Sequence, residues 1–277
     1  MVAMPEILVI NLARSTDRMA FMAGQLNALG LDFTRLEAAD ANSIDEANFA
    51  RLGDTYMRPI TRTEFACLTS HTRAWQRSVD TNRPVLVLED DAFISTCLPS
   101  FLAWLSELEA LDIVNIETRG KEKWVCRRPF ATEPTHAVSL YALYIDRGGA
   151  AGYVIWPTAA DKLLKRAELQ AAPADALIDL SGVPRLQSDP GLVSPIYVGG
   201  VGGHSIEPPF RTTIALPTKA SRLALSLLRP KLKMRRLAGY IAMTVRKLAA
   251  TGVGNRRQVA VCPTILVHAD NWSLSHG

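Results

Sequence analysis

VLVLEDDAF, residues 85–93, sets four aliphatic side chains directly before three consecutive carboxylates, Glu89, Asp90 and Asp91. An unbroken aliphatic run of this length fits a strand buried on both faces, in a sheet that helices cover from each side. The acids mark where that strand ends. Side by side they raise one another's proton affinity unless something positive sits among them. A divalent metal, a basic partner or a solvated turn would each relieve that repulsion. On an extended chain Glu89 and Asp91 point to one side and Asp90 to the other. In open α/β sheets ligands bind just beyond the carboxyl ends of the strands. Acids placed there suit Mn²⁺ or Mg²⁺, hard cations that prefer oxygen ligands and bridge to phosphates.

The flanking segments supply the rest of such a sheet. EILVINL (6–12) is a second apolar strand, and Arg14–Gly30 follows with helical spacing at Met19, Met22, Leu26 and Leu29 before Gly30 stops it. FTRLEAAD (33–40) reads as another strand, which completes a β-α-β opening. Residues 42–59 are polar and irregular. Thr61–Val79 is a helix whose start carries the Thr61-x-x-Glu64 capping box. Leu98–Leu111 is helical, DIVNIET (112–118) and AGYVIWP (151–157) are strands, and Ala159–Ala167 is a helix. The expected fold class is α/β, with a mostly parallel sheet and helices on its faces. SPIYVGGVGGHS (194–205) lacks the G-x-G-x-x-G spacing of a dinucleotide loop and reads as a flexible connection.

Composition narrows the function classes. The 277 residues are 48% hydrophobic, an ordinary globular content. Four scattered cysteines form neither a CxxC pair nor a zinc-spaced Cys/His cluster, so reduced thiols and a cytoplasmic setting are expected. The apolar run Ile7–Leu12 is too short for a signal sequence and no basic residue precedes it. Net charge is +4, but between Pro208 and Ala269 there are twelve Lys/Arg and no acid, which leaves the remainder at −8. From Thr218 to Ala250 the basic residues alternate with Leu, Ile and Met, broken by Pro230. That is the pattern of two basic amphipathic helices, which fits either a helical cap with a solvated face or peripheral contact with an anionic membrane through residues 219–250.

Two further segments bear on the acids. INLARSTDR (10–18) places Asn11 at a strand end, with Arg14 and Arg18 four residues apart at a helix start, an arrangement suited to an anion. In TRTEFACLTSHTRAW (61–75), Cys67, Ser70, His71 and Ala74 share one helical face. The bland alternatives are surface charges in the first segment and a hydrogen-bonded core histidine in the second.

Taken in order, INLARSTDR, TEFACLTSHTRAW, VLVLEDDAF and AGYVIWPTAADKLL with PADALID resemble glycosyltransferase family 25, over about residues 5–200. These are the lipooligosaccharide (LPS) biosynthesis glycosyltransferases, galactosyltransferase-like, whose relatives include collagen galactosyltransferases. One departure is Thr63, where the family usually has Gly. The resemblance implies a GT-A-type, Rossmann-like nucleotide-sugar domain over 1–210, and composition gives a basic, largely helical extension over 211–277. It implies a UDP-sugar donor, galactose being the family's commonest sugar, and a glycan or lipid-linked acceptor, with inversion at the transferred carbon. By the same resemblance Glu89 and Asp91 would hold Mn²⁺, with Asp90 beside them. Asn11, Arg14 and Arg18 would line the nucleotide pocket, and Glu64, Ser70 and His71 would support the diphosphate region. Asp175 or Asp179 would be the general base, Asp175 being favoured. The rival class is a non-catalytic GT-A-like protein that binds nucleotide-sugars without transferring them. No nucleic-acid partner is expected.

Overall fold

In a computed structural model, described over residues 4–146, 148–196 and 230–265, alternate residues of the two central strands enter different cores. The N-terminal half runs β1 (Glu6–Asn11), α1 (Thr16–Ala28), β2 (Thr34–Glu37), α2 (Glu46–Leu52), α3 (Arg62–Thr81), β3 (Val85–Glu89) and β4 (Ala92–Ile94). It continues through α4 (Leu98–Leu105), β5 (Ile113–Asn115), β6 (Glu122–Cys126), β7 (Ala131–Glu133), β8 (Val138–Ile145) and β9 (Gly152–Ile155). Then come α5 (Pro157–Leu169), α6 (Ala174–Leu180), β10 (Arg185–Asp189), β11 (Val193–Pro195), α7 (Pro230–Thr251) and β12 (Gly254–Gln258).

Ile7, Val9, Leu86 and Leu88 pack with Met22 and Leu26 of α1 and Phe101 of α4. Leu8, Ile10, Val85 and Val87 pack with Leu68 and Trp75 of α3, Leu163 of α5 and Leu177 of α6. Two helical layers therefore sandwich the sheet, as the aliphatic runs require. Each such side chain removed from water contributes about 1.5–3 kcal/mol.

The strand order is β12-β6-β8-β10-β5-β9-β3-β1-β2, with β7 on β8 and a separate β4–β11 ladder. The sheet is mixed rather than mostly parallel. Parallel pairing holds for β2-β1-β3 and for β5-β10, whereas β9 lies antiparallel between β3 and β5. Beyond β10 every neighbour is antiparallel. Connection length explains part of this: β7 and β8 are joined across residues 134–137, far too short for a parallel crossover.

Several elements differ from the sequence reading. Residues 42–59 contain α2, capped by the Asp45 side chain, which accepts from the Ala47 and Asn48 amides. The helix expected to reach Leu111 ends at Leu105. The capping box of α3 forms with both reciprocal bonds. Of the two basic helices, the first lies outside the described residues and the second is α7. The chain after α7 returns to the body: β12 pairs with β6, and Cys262 and Ile265 are buried in the first core. Among the described residues no helix is long and apolar enough to cross a membrane.

Candidate active site

The carboxyl ends of β1, β2 and β3 open into a basin of about 330 Å³. Its walls come from the turn after β1 (Leu12, Arg14, Arg18), the loop after β2 (Ala38–Asn42), one face of α3 (Ala66, Cys67, Ser70, His71) and the acids after β3. Ser70 pins two of these walls together. Its hydroxyl donates to the Ala66 carbonyl and accepts from the Ala39 amide, each at 2.9 Å. Arg14 is exposed and forms an ion pair with Asp40 across the mouth.

The three acids do not alternate as an extended chain would. The strand stops at Glu89, and Asp90 and Asp91 lie in the turn that leads to β4. That turn brings both aspartates to one guanidinium: Arg18 Nη2 lies 2.6 Å from Asp90 Oδ1 and 2.8 Å from Asp91 Oδ2. Glu89 turns instead toward α3, where His71 Nε2 is 3.3 Å from its Oε1. Asn11 is only 1% exposed and lies beneath the basin. Its amide donates to Asp90 Oδ2 at 2.7 Å and to the Ser15 carbonyl at 2.9 Å, while its oxygen accepts from Arg35 Nε at 3.0 Å. It is a strut under Asp90.

One guanidinium cannot neutralise three neighbouring carboxylates. Burial, then the charge of Glu89, push the Asp91 carboxyl up to about 7, against the pull of Arg18. Burial likewise raises Asp90 despite Arg18 and Asn11. Glu89 is opposed by burial, but the His71 hydrogen bond and the charges of Arg119 and Arg18 hold it below the usual carboxylate range. Asp91 Oδ1 is buried with no hydrogen-bond partner. A buried, unsatisfied carboxylate oxygen in an acid-rich turn fits a hard divalent cation, and Asp91 with Glu89 are the residues that would hold it.

A second grouping, Cys67, His71 and Glu89, has ligand atoms within 4.8 Å of one another, which suggests a softer metal. Hydrogen bonding argues otherwise. The buried Tyr153 hydroxyl accepts from Trp75 Nε1 at 2.8 Å and lies 2.9 Å from His71 Nδ1. With its oxygen already accepting from Trp75, its proton is best placed on Nδ1, so Nε2 carries the imidazole hydrogen toward Glu89. Metal at Nε2 would move the imidazole proton to Nδ1 and leave the Tyr153 O–H without that acceptor. Burial and the nearby carboxylates also push the Cys67 thiol well up, away from the thiolate a soft metal needs. Trp75, Tyr153, His71 and Glu89 thus form a satisfied chain that aims a carboxylate at the basin.

Glu64 and Asp175 lie outside the basin, in a neighbouring cavity of about 830 Å³ between α3, α6 and α7. Glu64 closes the capping box, accepting from the Thr61 amide at 2.8 Å, and pairs with Arg58. Asp175 opens α6. Its carboxylate accepts from the Ala176 amide at 2.7 Å and distantly from the Gly149 amide at 3.4 Å. Asp179, by contrast, is held in ion pairs with Arg185 and Arg246.

Between the acids and Asp175 stand residues the sequence reading did not select. Glu117, 1% exposed, pairs with Arg119 at 2.8 Å and accepts from the Ala151 amide at 2.7 Å. Burial raises Glu117 even with Arg119 and Lys123 nearby. Arg119 feels the charges of Glu117, Glu89 and Asp175 and is held above its ordinary value despite partial burial. Gly149, at φ 119°, lets the chain pass against Glu117, where any Cβ would collide with the carboxylate. The signal was available: like Glu89, Glu117 is an acid at the carboxyl end of a buried strand.

Comparison with known proteins adds an independent finding. A family profile described as "Glycosyltransferase family 25 (LPS biosynthesis protein)" matches residues 4–178. A "Glycosyltransferase 25 family member" of Anopheles gambiae is 33% identical over 99 residues, covering 32% of this chain and 17% of that protein. "Procollagen galactosyltransferase 1-B" of Xenopus laevis is 33% identical over 96 residues, 31% of this chain and 16% of its own length. "Procollagen galactosyltransferase 2" of Homo sapiens is 32% identical over 96 residues, 31% and 15%. The chain therefore matches only about a sixth of the length of these relatives.

Proposed function

Because the chain belongs to glycosyltransferase family 25, we propose that its basin binds a nucleotide-sugar, UDP-galactose being the first candidate, and that the protein transfers the sugar to a glycan acceptor of the LPS type. The observation that carries this reading is Asp91 Oδ1, buried and unpartnered beside Glu89 at the carboxyl edge of a parallel β2-β1-β3 unit. A GT-A arrangement is supported by the same placement. The relatives named for galactosyl transfer support the choice of sugar. Mn²⁺ or Mg²⁺ bound by Glu89 and Asp91 would act as a Lewis acid toward the donor diphosphate.

The chain's own residues take the remaining roles. Arg14 and Arg18 supply positive charge where a diphosphate would lie, and Asn11 keeps Asp90 fixed on Arg18. The Trp75–Tyr153–His71 chain holds Glu89 in place. Asp175 is the better base of the two candidates because Asp179 is committed to two arginines. Its carboxylate would take the proton of the acceptor hydroxyl as that oxygen forms a bond to the anomeric carbon. The bond from that carbon to the UDP oxygen breaks, and its electron pair leaves with UDP. Attack from the face opposite the leaving group gives inversion. The large cavity beside Asp175 would receive the acceptor.

An assay of donor turnover with a panel of UDP-sugars and Mn²⁺ tests this reading. Asp175→Asn is expected to lower kcat by 10²-fold or more, within the range for a lost general base, while UDP still binds. Full turnover by Asp175→Asn would remove it from the reaction.

A further inference from the structure

Helix α7 is built inside out. The residues it turns toward the body, Leu232, Arg236, Gly239, Met243, Arg246 and Ala250, recur at spacings of three and four. They are mostly small or basic, and they dock by polar contacts: Arg236 donates to the Met57 carbonyl at 2.9 Å and Arg246 pairs with Asp179 at 3.2 Å. The large apolar residues lie on the other side. Met234, Leu237, Ile241, Val245 and Leu248 are 56–72% exposed and form one stripe with spacings of 3, 4, 4 and 3. At about 100° per residue that stripe points roughly 180° from the docked face and runs for about 21 Å. A surface helix ordinarily buries its apolar stripe against its own core.

What covers such a stripe is indicated by charge. Pro230–Thr251 holds six Lys/Arg and no acid. Exposed Lys233 lies beside one end of the stripe, whereas Lys247 reaches over the Trp124 ring on the docked side. Exposed residues also follow the helix. Val253 is 53% exposed, and its carbonyl accepts from the Arg127 amide at 3.2 Å. Arg127 and Arg128 at that contact are exposed, and two residues further Phe130 is 57% exposed. An apolar ridge with Lys233 on its flank, on a helix that carries cations and no acid, is complementary to the headgroup and acyl boundary of an anionic bilayer. A second protein copy would present the same positive ridge and be repelled.

We propose that the outer face of α7 docks the protein on an anionic lipid surface. The docking is independent of the chemistry assigned to the basin, so either can fail alone. Its position does suit that chemistry, because the inner face of α7 lines the cavity beside Asp175.

Sedimentation of the full chain with vesicles of phosphatidylglycerol and phosphatidylcholine, against phosphatidylcholine alone, tests the proposal, with light scattering to read self-association. The expected result is strong binding to the anionic vesicles, weakened by high salt and lost at least tenfold in Leu237→Asp and Ile241→Asp. Lys233→Gln should weaken binding about fivefold, the equivalent of about 1 kcal/mol. Because these side chains are exposed, the variants should keep the wild-type circular dichroism and donor binding. No binding to anionic vesicles would overturn the proposal, whether another part of the chain covers the ridge or lipid does not. A dimer dissolved by Ile241→Asp, without vesicle binding, would assign the ridge to a second copy and overturn it too.

Discussion

Asp91 occupies a position where its own charge is unwelcome. Burial and Glu89 place its carboxyl at about 7, well above the ordinary range, so the folded protein binds its proton more tightly than the unfolded chain. The metal-free protein therefore loses stability as pH rises from the ordinary carboxylate range toward 7. Asp91→Asn removes that loss. In urea titrations without metal, Asp91→Asn should be more stable than wild type at pH 8 by on the order of 2 kcal/mol, a gain that vanishes near pH 4. Equal stability at both pH values would mean that the site is not strained. Tyr153 gives a different outcome, since Tyr153→Phe deprives Trp75 Nε1 and His71 Nδ1 of their shared partner. It should cost about 1–3 kcal/mol in thermal unfolding and lower kcat, because Glu89 loses its anchored neighbour. An unchanged melting temperature and kcat would reduce the chain to coincidence.

At the scale of elements, α3 connects the two cavities: Glu64 faces the larger one and Cys67, Ser70 and His71 face the smaller. Its first turn depends on the capping box, so Thr61→Ala should cost about 1 kcal/mol and loosen both cavities together. Chemical denaturation and UDP affinity measured on the same variant check this; a stability loss with UDP affinity intact would separate the cap from the site. The elements visible in the sequence were those whose burial is complete. VLVLE and EILVIN are read at once because both faces of each strand are covered. By contrast α2 buries only Leu52 and leaves no periodic stripe, although Asp45 was a cap in plain view. EKWVC and VSLYALYI alternate weakly because they lie on the antiparallel flank of the sheet, away from its most deeply covered centre.

For the whole molecule, legibility followed chain proximity. Glu89, Asp90 and Asp91 announce themselves because they are adjacent, and Arg14 and Arg18 because one helix start presents both. The pairing of Tyr153 with His71, or of Arg119 with the field of Glu89 and Asp175, depends on β9 lying between β3 and β5, and no local pattern encodes that order. The turn after Glu89 likewise regroups the acids in a way that simple alternation could not foresee. The C-terminal charge asymmetry was visible, but that α7 turns its apolar side outward emerges only once its docked face is known. The proposed function puts a nucleotide diphosphate over the acids that end β3. Calorimetry of UDP binding, with Mn²⁺ and then with EDTA, on wild type and Asp91→Asn, measures that directly. Binding that needs Mn²⁺ in the wild type and is lost in the variant is the predicted result; UDP binding indifferent to metal and to Asp91, or no binding at all, would contradict it.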